Sequence, residues 1–264
     1  MNLLFIGDIF GSLGREAVEK YLPKLKNDYH INFTIANGEN AAHGRGITEA
    51  IYKSLLTQGV NVVTLGNHSF DNRDVYNIID DAKNLIRPAN YDQSVPGKGY
   101  GIYNYNGFKI AVISLMGRIF MNPMDCPFRK FDQIYNDIKD QVDFIFVDFH
   151  GEASSEKIAF GYYVDGRANV VVGTHTHVQT ADNRVLDKGT AYITDVGMTG
   201  PIGGVIGMEK EAVITKFINN LPIRFTPVEE GDSQLNAIVV NFDEKNKKVT
   251  KIDRINIVDK RFLR

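Results

Sequence analysis

Short apolar segments recur along the first half of the chain, and helical spacing separates them. Residues 2–7, 31–36 and 61–65 are runs of mostly aliphatic side chains, which is typical of strands buried on both faces. Between the first two runs, one side of a predicted helix carries Leu13, Ala17, Tyr21, Leu22 and Leu25. Alternating buried strands and amphipathic helices predict an α/β fold built on a parallel sheet.

The rest of the chain contains more strands than helices. Asn106-Gly107 predicts a primed hairpin turn between strands at 101–105 and 109–115. Further strands are predicted at 142–149, 169–172, 190–194, 213–218, 235–242 and 249–256, and helices at 12–29, 48–56, 72–83, 131–140 and 155–163. Residues 116–129 are predicted to be a long irregular loop, which leaves a role as a lid open. The pattern predicts one domain over residues 1–264, with two sheets packed face to face and helices outside.

Composition narrows the classes of protein that remain. The chain has 264 residues, of which 43% are hydrophobic, so it can bury a substantial core. A net charge of -2 and a pI near 6.3 argue against a general nucleic-acid or membrane binder. The single cysteine, Cys126, excludes disulfides within the chain and a zinc site built from several thiolates. The absence of a basic leader and of an apolar membrane span predicts a cytoplasmic protein.

Polar side chains of metal-binding types follow five of the predicted strands, at the point where each strand ends. They are Asp8, Glu39 with Asn40, Asn67 with His68, His150, and His175 with His177. Taken singly, such residues often cap turns or lie buried as satisfied histidines. Connecting loops converge at the carboxyl ends of strands in open α/β sheets, so we expect these side chains to meet. Together they predict a metal site, to which the pair His175 and His177 contributes most strongly.

The motifs that contain these residues resemble a known enzyme superfamily. GDIFG, NGENAAHGRGIT, GNHSFD, GTHTH and DVGMTGP are similar to segments of the calcineurin-like metallophosphoesterases, in the variant form of their YmdB-like subfamily. Phe10 stands where most of the superfamily has a histidine, and Glu39 stands where it has a bridging aspartate. The subfamily carries both changes, with Asn40 as the replacement ligand. The resemblance covers essentially the whole chain and implies an α/β/β/α sandwich of two mixed sheets flanked by helices.

The resemblance also implies a role for each site residue. The first metal ion would be bound by Asp8, Glu39, Asn40 and His177. The second would be bound by Glu39, Asn67, His150 and His175. Glu39 would bridge the two ions, and His68 would lie beside the phosphate as the catalytic proton donor. Iron or manganese is favoured by the resemblance, whereas the ligand types alone leave zinc open.

The implied reaction is hydrolysis of a phosphodiester by a hydroxide that bridges the two ions. Two divalent ions contribute +4 and Asp8, Glu39 and the hydroxide contribute -3, so the site would carry about +1. This charge favours a small phosphodiester over a monoester, and the resemblance implies cyclic nucleotides such as 2',3'-cAMP. A phosphomonoesterase or protein phosphatase of the same fold stays open. So do a regulatory protein that keeps the metal site but acts by binding a partner, and a homo-oligomeric state.

Four further residues are candidates for contact with the substrate. His43 and Arg45 come shortly after Glu39, in AAHGRG. Thr199 and Gly200 belong to the DVGMTGP segment and are predicted to line the pocket. Their ordinary alternative is a structural role in loops.

Overall fold

The first of two sheets carries the amino-terminal strands. A computed structural model describes residues 1–260, so the last four residues of the predicted domain over 1–264 lie outside the described residues. The sheet contains seven strands, which are β1 (Asn2–Ile6), β2 (Phe33–Asn37), β3 (Val62–Thr64), β4 (Leu85–Ile86), β11 (Gly200–Pro201), β12 (Ser233–Asp243) and β13 (Lys248–Asp259). Strands β1 to β4 run parallel, and β12 pairs antiparallel with β1, β11 and β13.

The second sheet has six strands and is also mixed. It contains β5 (Tyr100–Tyr105), β6 (Phe108–Met116), β7 (Phe144–His150), β8 (Val170–Thr174), β9 (Arg184–Val185) and β10 (Ala191–Ile193), in the spatial order β5-β6-β7-β8-β10-β9. The four central strands are parallel, and β5 and β9 close the edges in the antiparallel direction. The carboxyl ends of the parallel strands in both sheets therefore deliver loops in which a site can form.

The two sheets pack face to face, and helices cover their outer faces. Along β1, Leu3 and Phe5 enter the core between the sheets, whereas Leu4 and Ile6 face the helices. Helices α1 (Gly11–Asp28) and α2 (Glu49–Gln58) pack on the first sheet, and α3 (Pro127–Ile138) and α4 (Ser154–Val164) pack on the second. The predicted α/β/β/α sandwich is confirmed.

Local signals in the sequence explain several boundaries. The Thr48 hydroxyl accepts a hydrogen bond from the Ile51 amide, 3.2 Å away, and so caps α2 as predicted. Asn106 and Gly107 have φ values of 47° and 86°, which is the primed turn predicted between β5 and β6.

The helix predicted over residues 72–83 is wrong. Only Arg73–Asn77 forms a short 3₁₀ turn, and the segment continues as irregular turns. Its short polar side chains bind backbone amides instead of leaving them to a helix: Asn72 accepts from Asp74, and Asp74 accepts from Glu49. Asn and Asp side chains compete with helical hydrogen bonds in this way.

The strand predicted over residues 213–218 is also wrong, because this segment belongs to helix α5 (Lys210–Asn219). Its β-branched residues suggested a strand, but β propensity depends on context. Asn220 ends the helix in the left-handed region, with φ of 54°, which is a common C-terminal cap.

The irregular loop predicted over 116–129 is shorter than expected. Strand β6 runs to Met116 and α3 begins at Pro127, a residue suited to the first helical turn, so residues 117–126 form the loop. None of the helices formed by residues 1–260 has both the length and the apolar character that crossing a membrane requires.

Candidate metal centre

The predicted polar residues meet at the carboxyl edge of the two sheets. Nε2 of His150, at the end of β7, is the point on which the others converge. It lies 2.9 Å from Glu39 Oε1, 2.7 Å from Asn67 Oδ1 and 3.0 Å from His175 Nδ1. Glu39, His150 and His175 each offer one ligand atom within 4.8 Å of the others. The loops after β2, β3, β7 and β8 therefore supply one cluster.

This cluster has too few protons for its acceptors. An imidazole nitrogen carries at most one hydrogen, yet three acceptor atoms surround Nε2 of His150. Close by, Asp8 Oδ1 is buried and has no hydrogen-bond partner among residues 1–260, although Oδ2 accepts a 3.3 Å bond from the His175 amide. Unsatisfied buried acceptors are costly, and a cation can satisfy several at once. The donor set of carboxylate, amide and imidazole groups fits a transition-metal ion.

A chain of hydrogen bonds fixes the tautomer of His150. Thr174 Oγ1 donates to Asp148 Oδ1 at 2.7 Å, so it must accept the 2.9 Å hydrogen bond from His150 Nδ1. Asp148 also accepts from Asn37 and Thr64 of the first sheet. Because Nδ1 of His150 holds a proton, the lone pair of the neutral ring is on Nε2. Such supporting contacts are typical of metal-ligating histidines.

The other two histidines are oriented by the same principle. His177 Nδ1 donates to the Ile206 carbonyl at 3.0 Å, and His175 Nε2 faces a carboxylate oxygen of Glu152 at 3.2 Å. Each contact holds the proton on one ring nitrogen and leaves the other free. The free atoms are Nδ1 of His175, near His150, and Nε2 of His177, 3.3 Å from the Asn40 amide. Asn40 also lies 3.4 Å from Glu39 Oε1, so it links His177 to the rest of the cluster.

The electrostatics of the cluster call for positive charge. Burial opposes ionisation of Glu39, but the charge of His150 outweighs it and lowers the Glu39 pKa to about 2. Burial likewise opposes the charge on His150, but Glu39 outweighs it and raises the His150 pKa to about 9. Burial lowers the pKa of His175 to about 3 and raises the pKa of Asp8 well above 3.8. A proton on His150 thus occupies the position that a metal cation would take, since metal and proton compete for the same lone pair.

A cavity of about 270 Å³ opens beside the cluster. Glu39, His175 and His177 line it, together with His68. The His68 amide donates to Glu39 Oε2 at 3.0 Å, and its ring Nδ1 lies 2.8 Å from Asp71 Oδ2. Asp71 was missed in the sequence analysis, although the spacing His-x-x-Asp within one loop could have suggested it. The carboxylate can hold the proton on Nδ1, which leaves Nε2 of His68 available in the cavity.

Of the four predicted substrate contacts, Arg45 lines the cavity and three residues lie elsewhere. The His43 side chain is 83% exposed and lies 3.5 Å from Glu229. Thr199 is fully buried, and its hydroxyl bonds the backbone of Asn236 in β12. Gly200 is buried in β11, where an added Cβ would lie 2.9 Å from Phe10 Cβ. Thr199 and Gly200 therefore position the loop after β1 and do not line the cavity.

The loop that carries His175 and His177 is held from below by a buried ion pair. Lys157 Nζ in α4 lies 2.7 Å from Asp195 Oδ2 and donates to the Thr174 carbonyl at 2.8 Å. Asp195 also accepts from the amide and hydroxyl of Thr176. His175 and His177 have φ of 101° and 66°, a strained conformation that persists only where neighbours enforce it. No local pattern signals this pair, because 38 residues separate its members.

Breaking the ion pair on one side is expected to destabilise the protein strongly. The side chains of Lys157 and Asp195 are 1% and 0% exposed. Lys157→Met should therefore lower the free energy of unfolding by about 3–5 kcal/mol, because it leaves a buried carboxylate without its countercharge. Urea denaturation measures this change. Lys53→Met, which breaks an exposed pair with Glu49 in α2, is the control and should cost less than about 1 kcal/mol. Equal effects of the two substitutions would contradict the assignment.

Comparison with known proteins places the chain among homologues that match it nearly end to end. A protein from Bacillus subtilis (strain 168), named 2',3'-cyclic-nucleotide 2'-phosphodiesterase, is 54% identical over 259 residues, which is 98% of each chain. A crystal structure of a novel phosphatase from Mycoplasma pneumoniae superposes with a TM-score of 0.93 and 37% identity, covering 98% of this chain and 94% of that one. A hypothetical protein from Thermus thermophilus gives 0.92 and 39%, covering 98% and 100%.

The family assignment follows from the sequence match and agrees with the fold. The model of the family described as YmdB-like protein matches residues 4–255, which include all the candidate ligands. The resemblance inferred from the motifs is thereby confirmed, and the chain belongs to the YmdB-like protein family.

Proposed function

We propose that this protein is a metal-dependent phosphodiesterase that hydrolyses nucleoside 2',3'-cyclic phosphates. The observation that carries the proposal is the convergence of Glu39, Asn67 and His175 on Nε2 of His150, at the wall of a cavity that also contains His68. The name of the Bacillus subtilis relative supports the substrate class.

The ligands divide into two groups that share Glu39. In the proposal, one ion is held by Asp8, Glu39, Asn40 and His177, and the other by Glu39, Asn67, His150 and His175. The short contacts support this division, since Asn40 lies within 3.4 Å of both Glu39 and His177, and His150 within 3.0 Å of Asn67 and His175. When bound, such ions neutralise phosphate oxygens and lower the pKa of a water molecule. We favour iron or manganese, since the donors include no thiolate.

His68 is the proposed proton donor to the leaving alkoxide. Its ring lies in the cavity but outside the ligand cluster, and Asp71 fixes it through Nδ1. An imidazolium supported by a carboxylate can release its other proton, from Nε2, to an oxygen that leaves phosphorus. Arg45 lines the same cavity and adds a fixed positive charge for a phosphate oxygen. The enzyme is expected to work in the reducing cytoplasm.

A phosphomonoesterase is the second candidate, and the Mycoplasma pneumoniae structure described as a phosphatase favours it. Freshly purified protein should contain iron or manganese by elemental analysis. At saturating metal, kcat/KM for adenosine 2',3'-cyclic phosphate should exceed that for p-nitrophenyl phosphate by at least about tenfold, a preference equivalent to about 1.4 kcal/mol. Faster hydrolysis of the monoester would replace the diesterase proposal with the second candidate, and metal-free protein that is fully active would refute both.

A further inference from the structure

One wall of the metal cavity is apolar. Ile206, Met208 and Phe225 line it, opposite the ligand cluster. The same three residues line a neighbouring cavity of about 370 Å³, whose remaining lining includes Val213 and Phe217. The two cavities therefore adjoin across these residues, and the polar site continues into an apolar trough. Ligand pockets commonly combine a few polar groups with such apolar walls.

The apolar wall is built on a tight and strained turn. Val205 and Met208 exchange backbone hydrogen bonds of 2.8 and 3.0 Å, and the residues between them, Ile206 and Gly207, have φ of 45° and 101°. This is a primed turn, in which a β-branched residue such as Ile206 is strongly disfavoured. Strain of this kind clusters where ligands bind. The Ile206 carbonyl also accepts the bond from His177, so the turn joins the apolar wall to the candidate metal ligand.

The wall is held in place before any ligand binds. The Gly207 carbonyl accepts from the Val228 amide at 2.9 Å, and the Thr226 carbonyl accepts from the Glu209 amide at 2.8 Å. These bonds tie the turn to the segment that carries Phe225. Even so, Ile206 is 53% exposed and Phe225 is 36% exposed, so apolar surface faces solvent at the mouth of the site. A ligand that covers this surface gains binding free energy without first ordering it.

The nucleobase of a nucleotide is the part of the proposed substrate that suits this wall. Its phosphate belongs with the cations and Arg45, and its ribose is polar. The base is aromatic and uncharged near neutral pH, and any base can stack on an aromatic side chain because each has a π face. We propose that Ile206, Met208 and Phe225 form the subsite that binds the nucleobase, with Phe225 as its aromatic contact. This inference rests on the proposed function and defines its substrate preference.

The test compares two substrates that share the reacting atoms. Adenosine 2',3'-cyclic phosphate carries a base, and 1-O-methylribose 2',3'-cyclic phosphate does not. The wild-type protein should favour the nucleotide in kcat/KM by at least about tenfold, within the range expected for stacking on one aromatic side chain. Phe225→Ala should reduce this ratio about tenfold, mainly through KM, and Phe225→Tyr should restore it. Tyr162→Ala, on the exposed face of α4, is the control and should keep the ratio.

A second variant separates binding from folding. Ile206→Asn creates an Asn-Gly sequence, which the primed turn prefers, so it should unfold at the same or a higher temperature while removing apolar surface. The ratio of the two substrates should nevertheless fall several-fold. An unchanged ratio in both Phe225→Ala and Ile206→Asn, or a wild-type protein without preference for the nucleotide, would overturn the subsite. Wild-type protein that hydrolyses neither substrate would instead refute the proposed function.

Discussion

Glu39→Gln is expected to remove bound metal and to lower kcat for the cyclic diester by at least about 10³-fold. The fully buried carboxylate of Glu39 is the group shared by both halves of the ligand cluster, through Oε1 near His150 and Asn40 and Oε2 near the His68 amide. Glutamine keeps the shape but supplies no negative charge. Loss of one stabilising donor already costs about 10²–10³ in kcat, and here two ions would lose a ligand. Elemental analysis and steady-state kinetics measure the two effects.

A matched control is available on the surface of the same domain. Glu49→Gln changes a partly exposed carboxylate in the first turn of α2 and should leave metal content and kcat within about twofold. Full metal content in Glu39→Gln would show that this residue does not bridge the ions. The ligand assignment would then have to be abandoned, even if the variant were inactive.

His68→Ala is expected to lower kcat by about 10²–10⁴-fold while the protein keeps its metal. The reason is that the ring contacts Asp71 and the cavity, whereas only the backbone amide of His68 contacts Glu39. Alanine retains that amide and removes only the proposed proton donor. Asp71→Asn should cause a smaller loss and an altered pH profile of kcat, since it changes the support of the imidazolium and not the group itself.

The same variant also tests the regulatory alternative. A protein that acts by binding a partner would keep its cellular role in His68→Ala, although hydrolysis was lost. An effect on metal content equal to that of Glu39→Gln would place His68 among the ligands and contradict its role as proton donor. A substrate that needs no proton donor, such as a diester with a nitrophenolate leaving group, should be hydrolysed with a much smaller loss than the cyclic nucleotide.

The sequence predicted the framework of the site because its signals are local. Buried parallel strands appear as continuous apolar runs, and Asp8, Glu39 and His150 each follow such a run directly. The carboxyl ends of parallel strands converge whatever the lengths of the intervening helices. The structure therefore brings together residues that lie up to 167 positions apart, as His175 and Asp8 do.

The features that the sequence did not predict depend on distant partners. Val213 is the one buried residue in α5, so packing and the Asn220 cap determine the helix against the β propensity of its sequence. Asn72 and Asp74 stop a helix because their side chains find backbone amides. Lys157 and Asp195 meet beneath the histidine loop without any sequence pattern that relates them. Thr199 belongs to a motif and yet serves only to join β12 to the loop after β1.

Asp148 has a consequence for how this protein can lose activity. This residue of β7 accepts hydrogen bonds from Asn37 and Thr64 across the interface of the sheets, and from Thr174, which in turn orients His150. The carboxylate is wholly enclosed and would be left without donors if the sheets moved apart. Separation of the two halves at this edge would therefore misorient His150 in the same event. Inactivation by heat or denaturant and the first parting of the sheets should be a single transition.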